Sequence, residues 1–241
     1  MKLVVFGANG QTGRLLTSQA LAAGHQVVAV TRHQREFPIA GAGLTVAEAD
    51  VRDEAAVAEV IVGADAVLST LGVSFTREHV DTYSAGTANI VAGMRNARVQ
   101  RLAVVSSTAA YPTRRTRSPL AIRLMEPVIT RTIGKTVYQD IRSMETIVRE
   151  SGLDWTIVRP SGLFDLEEPT DYHAGQVDPI GAFTARIDLA HYLLVLAGNP
   201  ALAGTTVVVS TTQHTPSVWQ MIAREASAKP ATGPSPTAKS K

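Results

Sequence analysis

Short apolar runs alternate along most of this chain with stretches whose apolar residues recur at helical spacing. The β-rich runs lie near residues 2–6, 26–31, 44–48, 65–69, 101–106, 154–159 and 205–210, with helical patterns in most of the intervals. Leu3 to Phe6, Ala66 to Leu68, Leu102 to Val105 and Val207 to Val209 are nearly continuous in apolar residues, as strands buried on both faces are. Such alternation predicts right-handed βαβ crossovers and an α/β fold. The expected architecture is a doubly wound parallel sheet (Rossmann), a single domain with small substrate-side loops near its C-terminal part. Ligands of such sheets sit at the carboxyl ends of the strands, where strand order reverses. The residues that follow each strand are therefore the functional candidates.

The first run ends in Gly7-Ala8-Asn9-Gly10-Gln11-Thr12-Gly13 and continues into a helical stretch from Arg14 to Ala23. Gly7 is expected to make the tight turn, Gly10 to let a diphosphate come close, and Gly13 to let the helix pack on the strand. The helix start adds unsatisfied N–H groups and the positive end of the dipole. A structural βα turn would use the same glycines, but the strand before, the helix after and the second strand Gln26 to Thr31 supply the context of a dinucleotide site.

After the second run comes Arg32. An acidic residue there would bind the ribose of NAD, whereas an arginine pairs with the 2′-phosphate of NADP. Arg32 thus predicts NADP(H) ahead of NAD(H); Arg14 and Arg35 are further members of the clamp or ordinary surface arginines. After the third run, Asp50 is placed to reach the adenine amino group and Val51 to lie against the ring, while Asp53 reads as the N-cap of a helix from Glu54 to Val60. Ser69, Thr70, Leu71 and Gly72 would carry the chain past the cofactor ribose, or form a plain turn. Ser106-Ser107-Thr108 puts three hydroxyls where substrate and nicotinamide should meet, although such hydroxyls also cap turns.

Composition narrows the choices. The 241 residues, 45% apolar and 18% charged, suit one globular domain over residues 1–225; residues 226–241, built of Ala, Ser, Thr, Pro, Gly and Lys, read as a disordered tail. No run approaches the roughly 18 apolar residues of a membrane span, and Leu3 to Phe6 is too short for a secretion signal. Absence of cysteine excludes disulfides and thiolate chemistry and fits a cytoplasmic location. No His, Asp and Glu spacing suggests a metal site. A net charge of +2 gives no reason to expect nucleic acid, which leaves a small-molecule substrate and a monomer or homodimer. Arg114, Arg115, Arg117, Arg123, Arg131 and Lys135 cluster with only Glu126 against them, as a solvated basic loop or as a site for an anion.

Four segments, Gly7 to Gly13, Gly86-Thr-Ala-Asn-Ile-Val91, Arg149-Glu-Ser-Gly-Leu-Asp-Trp-Thr-Ile-Val-Arg-Pro160 and Asp188-Leu-Ala-His191, together resemble the atypical short-chain dehydrogenase/reductases. The branch is similar to the NAD(P)H-binding proteins related to biliverdin-IXβ reductase (flavin reductase) and to NmrA-like proteins. The resemblance spans about residues 1–212. It implies that the glycine turn holds the diphosphate and that Ser107 is the active-site serine; Ser106 is counted with the cofactor-binding residues. It also implies that Pro160, Gly162 and Leu163 cover the nicotinamide face.

The Tyr-x-x-x-Lys pair of the larger superfamily is absent. Tyr138-Gln-Asp-Ile-Arg142 is the nearest approximation, the lysine position falls on Ile141, and arginine does not relay a proton at neutral pH. Tyr138 is kept as a candidate catalytic residue beside Ser107. The expected function is NADPH-dependent hydride transfer to a flavin, quinone-like or related small conjugated acceptor, which takes its proton from water. The alternative is a non-catalytic NADP(H)-binding sensor of NmrA-like type. His191 is expected as a packing histidine on a helix capped by Asp188, His173 and Tyr172 as loop residues, and Pro216 to Arg224 as a short terminal helix.

Overall fold

A computed structural model describes residues 1–76, 78–111 and 134–217. The arginine cluster from Arg114 to Arg131, most of the expected terminal helix and the expected tail lie outside the described residues. Seven strands stand where the apolar runs predict them: β1 Lys2–Phe6, β2 Gln26–Thr31, β3 Leu44–Glu48, β4 Ala66–Ser69, β5 Arg101–Val105, β6 Asp154–Pro160 and β10 Thr205–Ser210. Three short strands were not foreseen, namely β7 Gly162–Phe164, β8 His173–Gly175 and β9 Phe183–Ala185. The main sheet has the order β3-β2-β1-β4-β5-β6-β10-β8, and β7 pairs with β9 in a second small sheet. Every pairing of the main sheet is parallel except that of β8 with β10. The order reverses between β1 and β4, so the crevice lies above Gly7 and Thr70.

The period of two along β1 divides the core. Val4 and Phe6 enter one cluster with Val28, Val30, Val67 and Leu102, while Leu3 and Val5 enter the other with Val27, Ala29, Leu68 and Val207. Each fully buried Leu or Val contributes about 1.5 to 3 kcal/mol. Helices α2 Glu54–Ile61, α3 Thr82–Ala97 and α4 Lys135–Arg149 cover the first face, and α1 Gln11–Ala22 with α5 Arg186–Ala197 covers the second. The strand centres are therefore largely apolar, and the candidate site lies at the strand ends. Asp53 caps α2 as predicted, its side chain accepting from the Ala56 amide at 3.1 Å.

Two expectations need correction. Asp188 is not the N-cap of α5, because β9 runs directly into the helix and Ala185 holds that place. Asp188 is buried in the first turn, where its carboxylate accepts from the Thr170 amide and hydroxyl and from the Thr211 hydroxyl. It thereby pins the segment before β8 to the end of β10. His191 is exposed on one side and set edge-on to the Tyr172 ring, centres 5.7 Å apart, with Nδ1 2.7 Å from the Tyr172 hydroxyl. Burial, with Asp188 and Tyr192 nearby, pushes the Tyr172 phenol up to about 12. His173 belongs to β8 and not to a loop.

Candidate functional site

Helix α1 starts three residues earlier than its pattern suggests, inside the glycine motif. Gly10 is its N-cap, without a side-chain capping bond, and its first turn holds no acidic residue. The N–H groups of Gln11, Thr12 and Gly13 meet no acceptor among the described residues, so the positive end of α1 opens above β1. Gly7 has φ +74°, and a Cβ there would stand 2.7 Å from the Thr70 carbonyl oxygen. At Gly13 a Cβ would stand 2.3 Å from the Gly7 carbonyl oxygen, which ties the helix start to the strand exit. Ala8 is buried, and its amide donates to Val30. Half-buried Asn9 accepts from Arg14 Nε and Nη2 at 3.0 and 2.7 Å, which draws that guanidinium over the turn.

Arg32 is exposed directly after β2. The segment beyond it is fixed to β3 by bonds from the Gln34 amide to Glu48 and from Gln34 Nε2 to the Val46 carbonyl. Asp50 is exposed, with Oδ1 accepting from the Arg52 amide. Val51 is buried, and its methyl carbons lie 2.7 Å from where a Cβ on Gly86 would stand. Asn89 donates to the Val51 carbonyl at 3.0 Å. The Gly86 to Val91 segment thus locks the bend after β3 beneath α3, leaving Asp50 as the exposed side chain of the pair.

At the β4 end Ser69 is buried, Leu71 half-buried and Gly72 exposed. The Thr70 hydroxyl is 3.0 and 3.2 Å from the Phe6 and Gly7 carbonyl oxygens, so it latches β4 to β1. At the β5 end the two serines part. Ser106 is buried and donates to Glu145 at 2.6 Å; Ser107 is half-buried and accepts from the Ala109 amide at 3.2 Å. Beyond β6, Pro160 and Ser161 are buried, Gly162 is exposed and Leu163 half-buried. Ser161 is 6% exposed, and its buried hydroxyl has no hydrogen-bond partner among the described residues. Tyr138 is buried in α4, its ring centre 5.9 Å from that of Phe75.

Sequence reasoning did not foresee the role of Glu145. Its fully buried carboxylate accepts from Arg159 at 2.8 and 2.5 Å and from Arg149 at 3.1 Å. Burial pushes this group up, but the bonds from Arg159 and Ser106 outweigh it and hold Glu145 below the usual carboxylate range. The available signals were the i, i+4 spacing of Glu145 and Arg149 and a lone arginine in an apolar strand.

Residues 7–200 match the NAD(P)H-binding protein family. An uncharacterised Mycobacterium tuberculosis protein is 35% identical over 107 residues, 44% of this chain, and the match spans only 12% of that protein's length. YwnB of Bacillus subtilis is 25% identical over 166 residues, 68% of this chain and 74% of that protein. Among solved structures, the Escherichia coli O157:H7 anaerobilin reductase ChuY superposes with a TM-score of 0.72 at 23% identity, over 90% of this chain and all of that one. A short-chain dehydrogenase/reductase of Veillonella parvula in complex with NADP gives 0.72 at 20% identity, over 88% and 95%. The likeness to a short-chain dehydrogenase/reductase holds for the fold, and this chain belongs to the NAD(P)H-binding family with a Rossmann fold.

Proposed function

We propose that this chain is an NADPH-dependent reductase whose acceptor is a flavin, quinone-like or related small conjugated molecule. The observation that carries the reading is the open N-terminus of α1: a glycine cap, no acidic residue in the first turn, and amides directed at the β1–β4 crevice. The unpartnered Ser161 hydroxyl beyond β6 also suits a polar ligand, since buried polar groups are seldom left unsatisfied. Arg32 would bind the 2′-phosphate, and exposed Asp50 would meet the adenine amino group. Ser69 to Gly72 would line the ribose, and Pro160 to Leu163 would cover the nicotinamide.

The bound coenzyme supplies a hydride; the chain supplies position, exclusion of water and polar contacts. The Ser107 hydroxyl accepts from the Ala109 amide, and in this reading its own proton would be donated to the acceptor. The burial of Tyr138 against Phe75 favours a packing role for that residue.

Turnover of NADPH with a panel of flavins and quinones, followed at the nicotinamide absorbance band, tests the reading. Ser107→Ala should lower turnover while NADPH binding persists. Tight NADPH binding without turnover on any acceptor would contradict it and leave the sensor reading, which the missing Tyr-x-x-x-Lys pair favours.

A further inference from the structure

The buried Glu145 cluster stands beside the proposed catalytic serine, joined to its neighbour Ser106 by a hydrogen bond. Two guanidinium groups share its one carboxylate, so it carries a surplus positive charge. Arg149 spreads outward, 5.3 Å from the Trp155 ring centre and 2.9 Å from the Thr206 hydroxyl. Arg159 is largely enclosed and lies over the Tyr111 ring, 4.1 Å from its centre. Tyr111 is half-buried and follows Ser107 by one tight turn, Thr108–Ala110, whose last carbonyl accepts from Arg142 at 3.1 Å. Ser106, the neighbour of Ser107, bonds to the same Glu145 oxygen that Arg159 Nε engages.

We propose that Tyr111 and Arg159 form the platform on which a planar conjugated acceptor stacks, with Glu145 as the positioning residue. This rests on the coenzyme reading above. Two hydrogen bonds to Glu145 hold Arg159 in one orientation, and a guanidinium fixed against one face of a ring in turn orients that ring. Tyr111 is half-buried, so part of its surface is left for a flat ligand one turn beyond Ser107. Hydride addition gives a neutral acceptor two electrons and one proton, and oxidises the dihydronicotinamide by the same two electrons. The acceptor is left with one negative charge until water provides a second proton. A cation directly behind the stacking ring offsets that charge.

Riboflavin fluorescence quenching by the full chain saturated with NADP⁺ tests the platform, using wild type, Tyr111→Phe and Tyr111→Leu. Leucine fills the site without an aromatic face. The expected result is quenching by wild type, affinity within about twofold for Tyr111→Phe, and about tenfold weaker binding for Tyr111→Leu. The NADP⁺-induced melting shift should be the same in all three. Equal riboflavin affinity in Tyr111→Leu, or no quenching by NADP⁺-bound wild type, would overturn the platform alone. Absence of an NADP⁺ melting shift in wild type would overturn the coenzyme reading and the platform with it.

Discussion

Glu145 of α4 and Arg159 of β6 meet through two hydrogen bonds, 2.8 and 2.5 Å long, with the carboxylate fully buried. The pair joins a helix to the strand end that borders the site. Breaking a buried pair strands the remaining charge, so Glu145→Ala should cost about 3 to 5 kcal/mol in denaturant unfolding. Because the carboxyl is held below its ordinary value of 4.5, its stabilising contribution is present above that pH and declines as pH falls through the folded value. The stability gap between wild type and Glu145→Gln should therefore narrow on acidification below about pH 4.5. A constant gap would contradict the ionic role.

Gly13→Ala tests the glycine turn without altering charge. The added Cβ would fall 2.3 Å from the Gly7 carbonyl oxygen, and backbone must move to admit it. A loss of about 1 to 3 kcal/mol is expected, together with most of the NADPH-induced melting shift. Retention of both would mean that the turn is not the tight junction described.

Ser161→Ala separates a ligand contact from a fold contact. Removing a buried hydroxyl with no partner among the described residues should leave the melting temperature of the free protein unchanged or raise it. Affinity for NADPH should fall by about 0.5 to 1.5 kcal/mol, the worth of one neutral hydrogen bond. Lower stability with unchanged affinity would place the hydroxyl in the fold instead.

What the sequence made legible follows from short-range physics. Apolar runs located all seven long strands, because burial on both faces leaves little room for polar residues. The glycine spacing located the α1 junction, since Gly13 permits a backbone approach that a Cβ would block. The short strands β7 to β9 were missed because three residues carry no period. Their places are set by distant polar contacts, such as Thr184 donating to Val209 and Asp188 accepting from Thr211. The Asp188 error arose the same way: an acid near a helix start reads as a cap unless the partners from residues 170 and 211 are known. Glu145 drew no reading from the sequence because its partner Arg159 comes from β6 and meets it only in the fold.

Calorimetric titration of the full chain with NADPH and NADH, on wild type and Arg32→Ala, tests the central claim most directly. Wild type should bind one NADPH. At a free concentration of 100 times Kd this gives about 2.7 kcal/mol of added stability, or roughly 5 to 11 °C in Tm. Arg32→Ala should weaken NADPH by about 1.5 to 3 kcal/mol and leave NADH unchanged. No heat and no melting shift with either coenzyme would contradict the account.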